Sequence, residues 1–144
     1  AEAGIRDSST SRGLGDVYKR QMIGSDGLPG DKHPHPRLWG TFPRVLGKYS
    51  IEMKLFSLEE AIYKMTFKSA KTFGLEKRGL IKKDYFADLV IFDPEVVIDK
   101  ATYEKPLMPA LRIDTVINNG QIVWQSMKSS DIYSGKFLEG KSFN

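Results

Sequence analysis

The chain has 144 residues, 40% of them hydrophobic and 28% charged, with a formal net charge of +4 and no cysteine. The lack of cysteine excludes a disulfide framework or a thiolate metal site within it, and no apolar run reaches the ~18 residues a membrane span needs. Lysines from Lys54 to Lys105 alternate with acids and hydrophobes; with no basic stripe interleaved with stacking aromatics, this is a solvated face and not a nucleic-acid surface.

Residues 1–21 read as translated sequencing adaptor. The transposon-end oligonucleotide GATGTGTATAAGAGACAG encodes Asp16-Val17-Tyr18-Lys19-Arg20-Gln21, and adaptor bases before it encode Ser11-Arg12-Gly13-Leu14-Gly15. Such a segment is set aside from fold reasoning. Met22 is therefore not taken as a start, and the native protein is expected to continue upstream. A cytoplasmic location is expected, with a signal peptide left open.

A short apolar stub, Met22-Ile23, runs into Gly24-Ser25-Asp26-Gly27 and then into a loop reaching Arg44 that its prolines are expected to keep from becoming helix or strand. This loop gathers an acid (Asp26), two imidazoles (His33, His35) and two guanidiniums (Arg37, Arg44). Loops on a rigid scaffold are where binding and catalytic groups concentrate. Taken alone, the tetrapeptide reads first as a turn whose aspartate bonds its own backbone.

Val45 to Phe56 is expected to form a helix ending near Lys54. A second helix follows, with Ser57 and Glu60 as a capping box and Leu58, Ala61, Ile62 and Met65 on one core-facing side. Ser69 to Phe73 predicts one more short helical turn, stopped by Gly74. From Gly79 the pattern changes to strands. Leu80-Ile81, a turn at Lys83-Asp84 and the apolar run Ala87–Phe92 predict a hairpin with a buried second strand. Thr115 to Ile117, Asn118-Asn119-Gly120 and Gln121 to Trp124 predict another, with a strong Asn-Gly turn signal. Asp93 to Asp114 reads as connection broken by Pro106 and Pro109, and the tail after Met127 as weakly structured.

The block from Gly24 to Arg44 resembles the end of the catalytic barrel in the N-acyl-D-amino-acid deacylases (D-aminoacylases) of the amidohydrolase superfamily. The likeness continues through Ser57-Leu58-Glu59-Glu60-Ala61-Ile62, Gly79-Leu80-Ile81, Ala87-Asp88-Leu89-Val90-Ile91-Phe92-Asp93-Pro94, Ala101-Thr102-Tyr103-Glu104 and Asn119-Gly120. The segment Lys105–Arg112 departs from the expected pattern. The resemblance implies an α/β fold: residues 22–77 as the C-terminal end of a metal-dependent (β/α)8 barrel, 78–126 as part of a small β-sandwich domain, and 127–144 as a tail. It implies a zinc-dependent hydrolase that cleaves a small-molecule N-acyl-D-amino acid into a D-amino acid and a carboxylate.

On that resemblance Asp26 is the catalytic acid–base and a candidate metal ligand, with the other zinc ligands outside this stretch. Arg37 holds the substrate α-carboxylate, a task its planar guanidinium suits, and His35 helps orient Arg37. His33 and His35 have a ligand-like His-x-His spacing. In a proline-braced loop, however, they are expected to pack or hydrogen-bond and not to bind zinc. Arg44 is expected in a structural ion pair, and Asp88 as a structural residue of the sandwich. By itself the stretch is expected to fold poorly and to be inactive. The rival readings are a cyclic-amide hydrolase of the dihydroorotase or dihydropyrimidinase type, which the stretches His33–Arg37 and Gly40–Arg44 speak against, a non-catalytic relative kept as an assembly module, and an independent β-rich binding domain. The oligomeric state is left open.

Overall fold

The computed structural model describes residues 21–140, so the adaptor reading, which falls on residues 1–21, lies almost wholly outside the described residues. The first helix, α1 (Arg37–Arg44), begins inside the stretch that the prolines were expected to keep irregular. The correction follows from where the prolines fall. Pro36 is the N-cap with φ −51°, close to the helical value, and its missing N–H is one the first turn cannot use anyway. Its carbonyl accepts from Gly40 at 2.9 Å. Pro43 comes in the last turn, so it removes a single bond, to the Trp39 carbonyl.

Beyond Pro43 the hydrogen-bond register widens. Val45–Glu52 is a π-helix, and Met53 N–H bonds the Lys48 carbonyl at 2.9 Å. The helix predicted over Val45–Phe56 is thus present, wound more loosely, and ends where Lys54 turns to φ 51°. Next comes α2 (Leu58–Met65), whose N-cap Ser57 accepts the Glu60 N–H at 3.2 Å. The Glu60 carboxylate faces Lys64 Nζ, 3.5 Å away. Of the predicted apolar face, Ala61 is fully buried and Leu58 and Met65 pack on the core, but Ile62, expected to face it too, is exposed. Helix α3 (Phe67–Thr72) starts two residues earlier than the predicted turn and ends one residue sooner. It closes at Gly74 (φ 64°) in a Schellman motif, with Leu75 N–H to Ala70 O and Gly74 N–H to Lys71 O.

The sheet is antiparallel, in the order β1 (Leu89–Phe92), β2 (Ile113–Asn118), β3 (Gln121–Gln125), β4 (Lys128–Ser129). The hairpin predicted at Leu80–Phe92 is not formed. Asp84 does turn (φ 66°), but Phe86 N–H bonds the Lys77 carbonyl at 2.9 Å and closes a compact loop, so β1 pairs with β2 instead. Nor is β1 buried, since Val90 and Ile91 are each 53% exposed. The second hairpin forms as predicted: Asn119 (φ 47°) and Gly120 (φ 80°) have the paired positive φ of a type I′ turn. Ser126 and Met127, also both at positive φ, fold the start of the predicted weak tail back as β4. The core joins both parts. Val45, Leu46, Ala61 and Val97 are buried, with Ile23, Phe56, Phe92 and Ile113 packed around them.

Candidate functional site

The site is assembled by the N-terminus of α1 and two segments laid against it. Ser25 accepts the Gly27 N–H on its own hydroxyl at 3.3 Å, leaving the Asp26 carboxylate uncommitted to the turn. Asp26 adopts φ 48°, a conformation aspartate tolerates better than most residues. Gly27 is required by close approach, since a Cβ there would lie 2.8 Å from Leu38 Cα. The loop thereby rests directly on the first turn of α1. Asp26 Oδ2 lies 3.0 Å from Arg37 Nη2, with the two side chains 77% and 42% exposed. The predicted acid and the predicted carboxylate-binding cation are neighbours, both open to a ligand.

The two histidines converge on Tyr103, which carried no predicted role. His33 Nε2 donates to the Tyr103 carbonyl at 2.6 Å. His35 Nδ1 accepts the Arg37 backbone N–H at 3.0 Å, and its Nε2 is 3.0 Å from the Tyr103 hydroxyl. The rings meet edge-on, with centroids 5.1 Å apart. Tyr103 is presented by a capped turn: Thr102 Oγ1 accepts the Lys105 N–H at 3.1 Å, and Thr102 N–H bonds the Lys105 carbonyl. The only sequence signal for it was its place in the Ala101–Glu104 block.

At the other end of α1, Arg44 donates from Nε and Nη2 to Asp99 Oδ2, at 3.0 and 2.8 Å. The bond to Asp99, opposed by partial burial, holds the Arg44 pKa above its usual value. Asp99 is only 6% exposed, and nothing in its local sequence marked it. An open cleft of about 420 Å³ runs between these groups, lined by His35, Arg37, Thr41, Arg44, Asp99 and Tyr103. Asp88 lies apart from it, just before β1. It pairs with Arg78 and accepts the Asn119 N–H at 2.8 Å, while Arg78 also donates to Asn119 Oδ1. This network pins the type I′ turn.

Among the described residues no group of three or more His, Cys, Asp or Glu is close enough to hold a metal ion. No helix among them is long and apolar enough to cross a membrane.

An acid stands beside a guanidinium where an irregular segment meets a helix, and sequence comparison gives the family of the chain. Residues 19–124 match the amidohydrolase family. The chain belongs to that family.

Over 117 residues it is 54% identical to the D-aminoacylase of Alcaligenes xylosoxydans xylosoxydans, which covers 81% of this chain and 24% of that protein. It is 50% identical over 103 residues to the N-acyl-D-glutamate deacylase of the same organism, covering 72% of this chain and 21% of that protein. Among solved structures, that of a D-aminoacylase described as defining a novel subset of amidohydrolases superposes with a TM-score of 0.79 at 52% identity, over 82% of this chain and 25% of the other. An N-acyl-D-glutamate deacylase from Bordetella bronchiseptica, complexed with zinc and a phosphonate inhibitor mimicking the tetrahedral intermediate, gives 0.71 at 47%, over 73% and 22%. The chain spans about a quarter of the length of the curated relatives it matches.

Proposed function

We propose that this chain is part of a deacylase that hydrolyses N-acyl-D-amino acids, residues 22–77 forming the end of its barrel and 78–126 part of a small β-sandwich. The observation that carries the reading is the Asp26–Arg37 pair at 3.0 Å, exposed beside an open cleft. An N-acyl amino acid presents one free carboxylate next to its scissile amide. Arg37 has five N–H donors in a rigid fork, and the pair with Asp26 engages only Nη2. The rest of the fork is free to grip the substrate carboxylate bidentately, which sets the amide beside Asp26. Asp26 then takes a proton from the attacking water and returns it to the amine nitrogen as the C–N bond breaks, while the water oxygen joins the acyl carbon.

The described residues do not form a metal site by themselves. We assign Asp26 to it from this stretch, since both imidazoles are turned to Tyr103. The proposed zinc therefore draws its other ligands from outside residues 21–140. Support comes from the relatives: one solved structure is described as holding zinc and another as having a binuclear metal centre.

The test uses the protein encoded by the complete reading frame. Amine release from N-acetyl-D-amino acids, from their L enantiomers and from the matching N-acetyl-D-amino-acid amides is followed. Asp26→Asn is expected to lower kcat by about 10²–10⁴-fold. Arg37→Lys is expected to raise KM by roughly tenfold or more, because a point charge replaces a bidentate fork. Full activity in Asp26→Asn, or equal turnover of the carboxamides, would overturn the assignment.

A further inference from the structure

We propose that Tyr103 is a positioning residue: its hydroxyl anchors the His35 ring and, through it, the start of α1 that carries Arg37. The inference rests on the reading of Arg37 as the carboxylate-binding group. Its starting point is a backbone donor. The Arg37 N–H is one of those at a helix N-terminus with no partner inside the helix, and the N-cap, Pro36, has no side chain able to accept it. His35 Nδ1 accepts it instead, at 3.0 Å.

That bond settles the imidazole's protonation pattern. A nitrogen that accepts an N–H carries no proton, so a neutral His35 has its hydrogen on Nε2. Nε2 lies 3.0 Å from the Tyr103 hydroxyl, which must therefore accept. Were the phenol to donate to Nε2 instead, the ring proton would move to Nδ1 and face the Arg37 N–H, donor against donor. The Arg37 N–H thus sets the tautomer, as a partner on one ring nitrogen sets the state of the other, and the tyrosine hydroxyl, able to donate or accept, takes the acceptor role and anchors the far side of the ring.

The latch has a second point of attachment. Tyr103, 68 positions beyond His35, is also held through its backbone carbonyl by His33 Nε2, at 2.6 Å. The edge-on ring contact orients the imidazole plane. One turn up, Thr41 Oγ1 donates to the Arg37 carbonyl at 2.9 Å, so the Arg37 peptide is gripped on both sides. A guanidinium that aims two N–H groups at a carboxylate needs its Cα fixed to well under an ångström, and supporting hydrogen bonds supply such fixing.

The test is a variant cycle in the full-length protein. Tyr103→Phe keeps the ring but removes the acceptor, and is expected to raise KM about three- to tenfold, the range of one neutral hydrogen bond, with kcat within about twofold. In His35→Asn the side-chain oxygen replaces Nδ1 as acceptor and no tautomer exists. Whatever the KM of that variant, adding Tyr103→Phe to it is expected to change KM no further. A general packing role would instead lower kcat or the folded fraction, and equally in both backgrounds. Long-range ¹H–¹⁵N spectra of histidine-labelled protein, assigned by the signals lost in His35→Asn, read the tautomer without substrate. Wild type should show the proton on Nε2, and Tyr103→Phe the same tautomer with its Nε2 resonance shifted by loss of the acceptor. An Nδ1–H form in the wild type, or an unchanged Nε2 resonance and unchanged KM in Tyr103→Phe, overturns the proposal. If the wild type hydrolyses no N-acyl-D-amino acid, the functional reading fails, while the spectra still decide the role of Tyr103.

Discussion

Gly47→Ala sets two physical effects against each other, and the structure decides between them. In a helix interior alanine is favoured over glycine by about 1 kcal/mol, so propensity alone predicts a more stable protein. Gly47, however, is buried in the π-helix against the segment that carries Val97. A Cβ built there overlaps the Val97 carbonyl oxygen and lies 2.9 Å from Ile98 Cδ1 and 3.1 Å from the Val97 carbonyl carbon. Backbone must then move, and this backbone is tied. Val97 N–H bonds the Asp93 carbonyl at 3.1 Å, Ile98 O accepts from Leu111 at 2.9 Å, and the Val97 side chain is 2% exposed. Overpacking of this kind costs about 1–3 kcal/mol and sometimes more. With a backbone carbonyl as the obstacle we take the upper end, so after the propensity gain the variant is about 2 kcal/mol less stable locally. Gly40→Ala is the matched comparison, because its Cβ would lie 3.3 Å from Asp99 Cβ and Oδ2. A shift of a few tenths of an ångström accommodates it, and it should be close to neutral. Hydrogen exchange in the full-length protein reads both: the Val97 and Met53 amides should exchange roughly thirtyfold faster in Gly47→Ala and nearly unchanged in Gly40→Ala. Equal or slower exchange in Gly47→Ala would show that the π-helix and residues 97–98 are not in contact.

Arg44→Met should cost about 1–2 kcal/mol, since it leaves the buried Asp99 carboxylate unpaired; the penalty for a fully buried pair is larger, but Arg44 is partly exposed and water screens the remaining charge. Because Asp99 raises the Arg44 pKa, Arg44's contribution is complete below its unfolded value and lost only in strongly alkaline solution. The difference in melting temperature between wild type and variant should accordingly be the same at neutral and mildly alkaline pH. Ser57→Ala removes the cap of α2 and should cost about 1 kcal/mol in thermal unfolding. Glu59 is held below the usual carboxylate range by its own backbone N–H and then by the Ser57 hydroxyl. That contribution is present above the ordinary carboxylate pKa and fades as pH falls through the lowered one, so the Ser57→Ala penalty should shrink on acidification.

How much of this was legible depended on whether the signal was local. The Asn119-Gly120 turn and the Ser57 cap are local chemistry; the turn forms as read, and of the capping box the Ser57 half forms while the Glu60 carboxylate goes to Lys64. The prolines misled because position outweighs identity: Pro36 starts α1, whereas the same residue a turn further on would have broken it. Leu80-Ile81 was misread because a strand is defined by its partner, and the Phe86–Lys77 bond closes that route. Asp26, Arg37 and the histidines were found as a cluster because they lie within twelve consecutive residues of the sequence. Asp99 and Tyr103 were not, since their partners lie 55 and 68 positions away.

The stretch read as mere connection between hairpins turns out to explain why the site residues stand where they do. Residues 97–103 run back along the helical segment in the opposite sense. Val97 sits on Gly47, Asp99 binds Arg44, Ala101 lies within van der Waals reach of a Cβ at Gly40, and Tyr103 holds His35. Each step of about two residues in the strap matches about four in the helix, as an extended chain rising ~3.3 Å per residue must against ~1.5 Å in a helix. The glycines at 40 and 47 are small because the strap lies there, and the ion pair between them fixes its register. A one-residue slip would carry Asp99 away from Arg44 and Tyr103 away from His35 together. The buried end of the strap, at Val97, therefore sets the position of its exposed end, where His35 meets Arg37 and Arg37 meets Asp26.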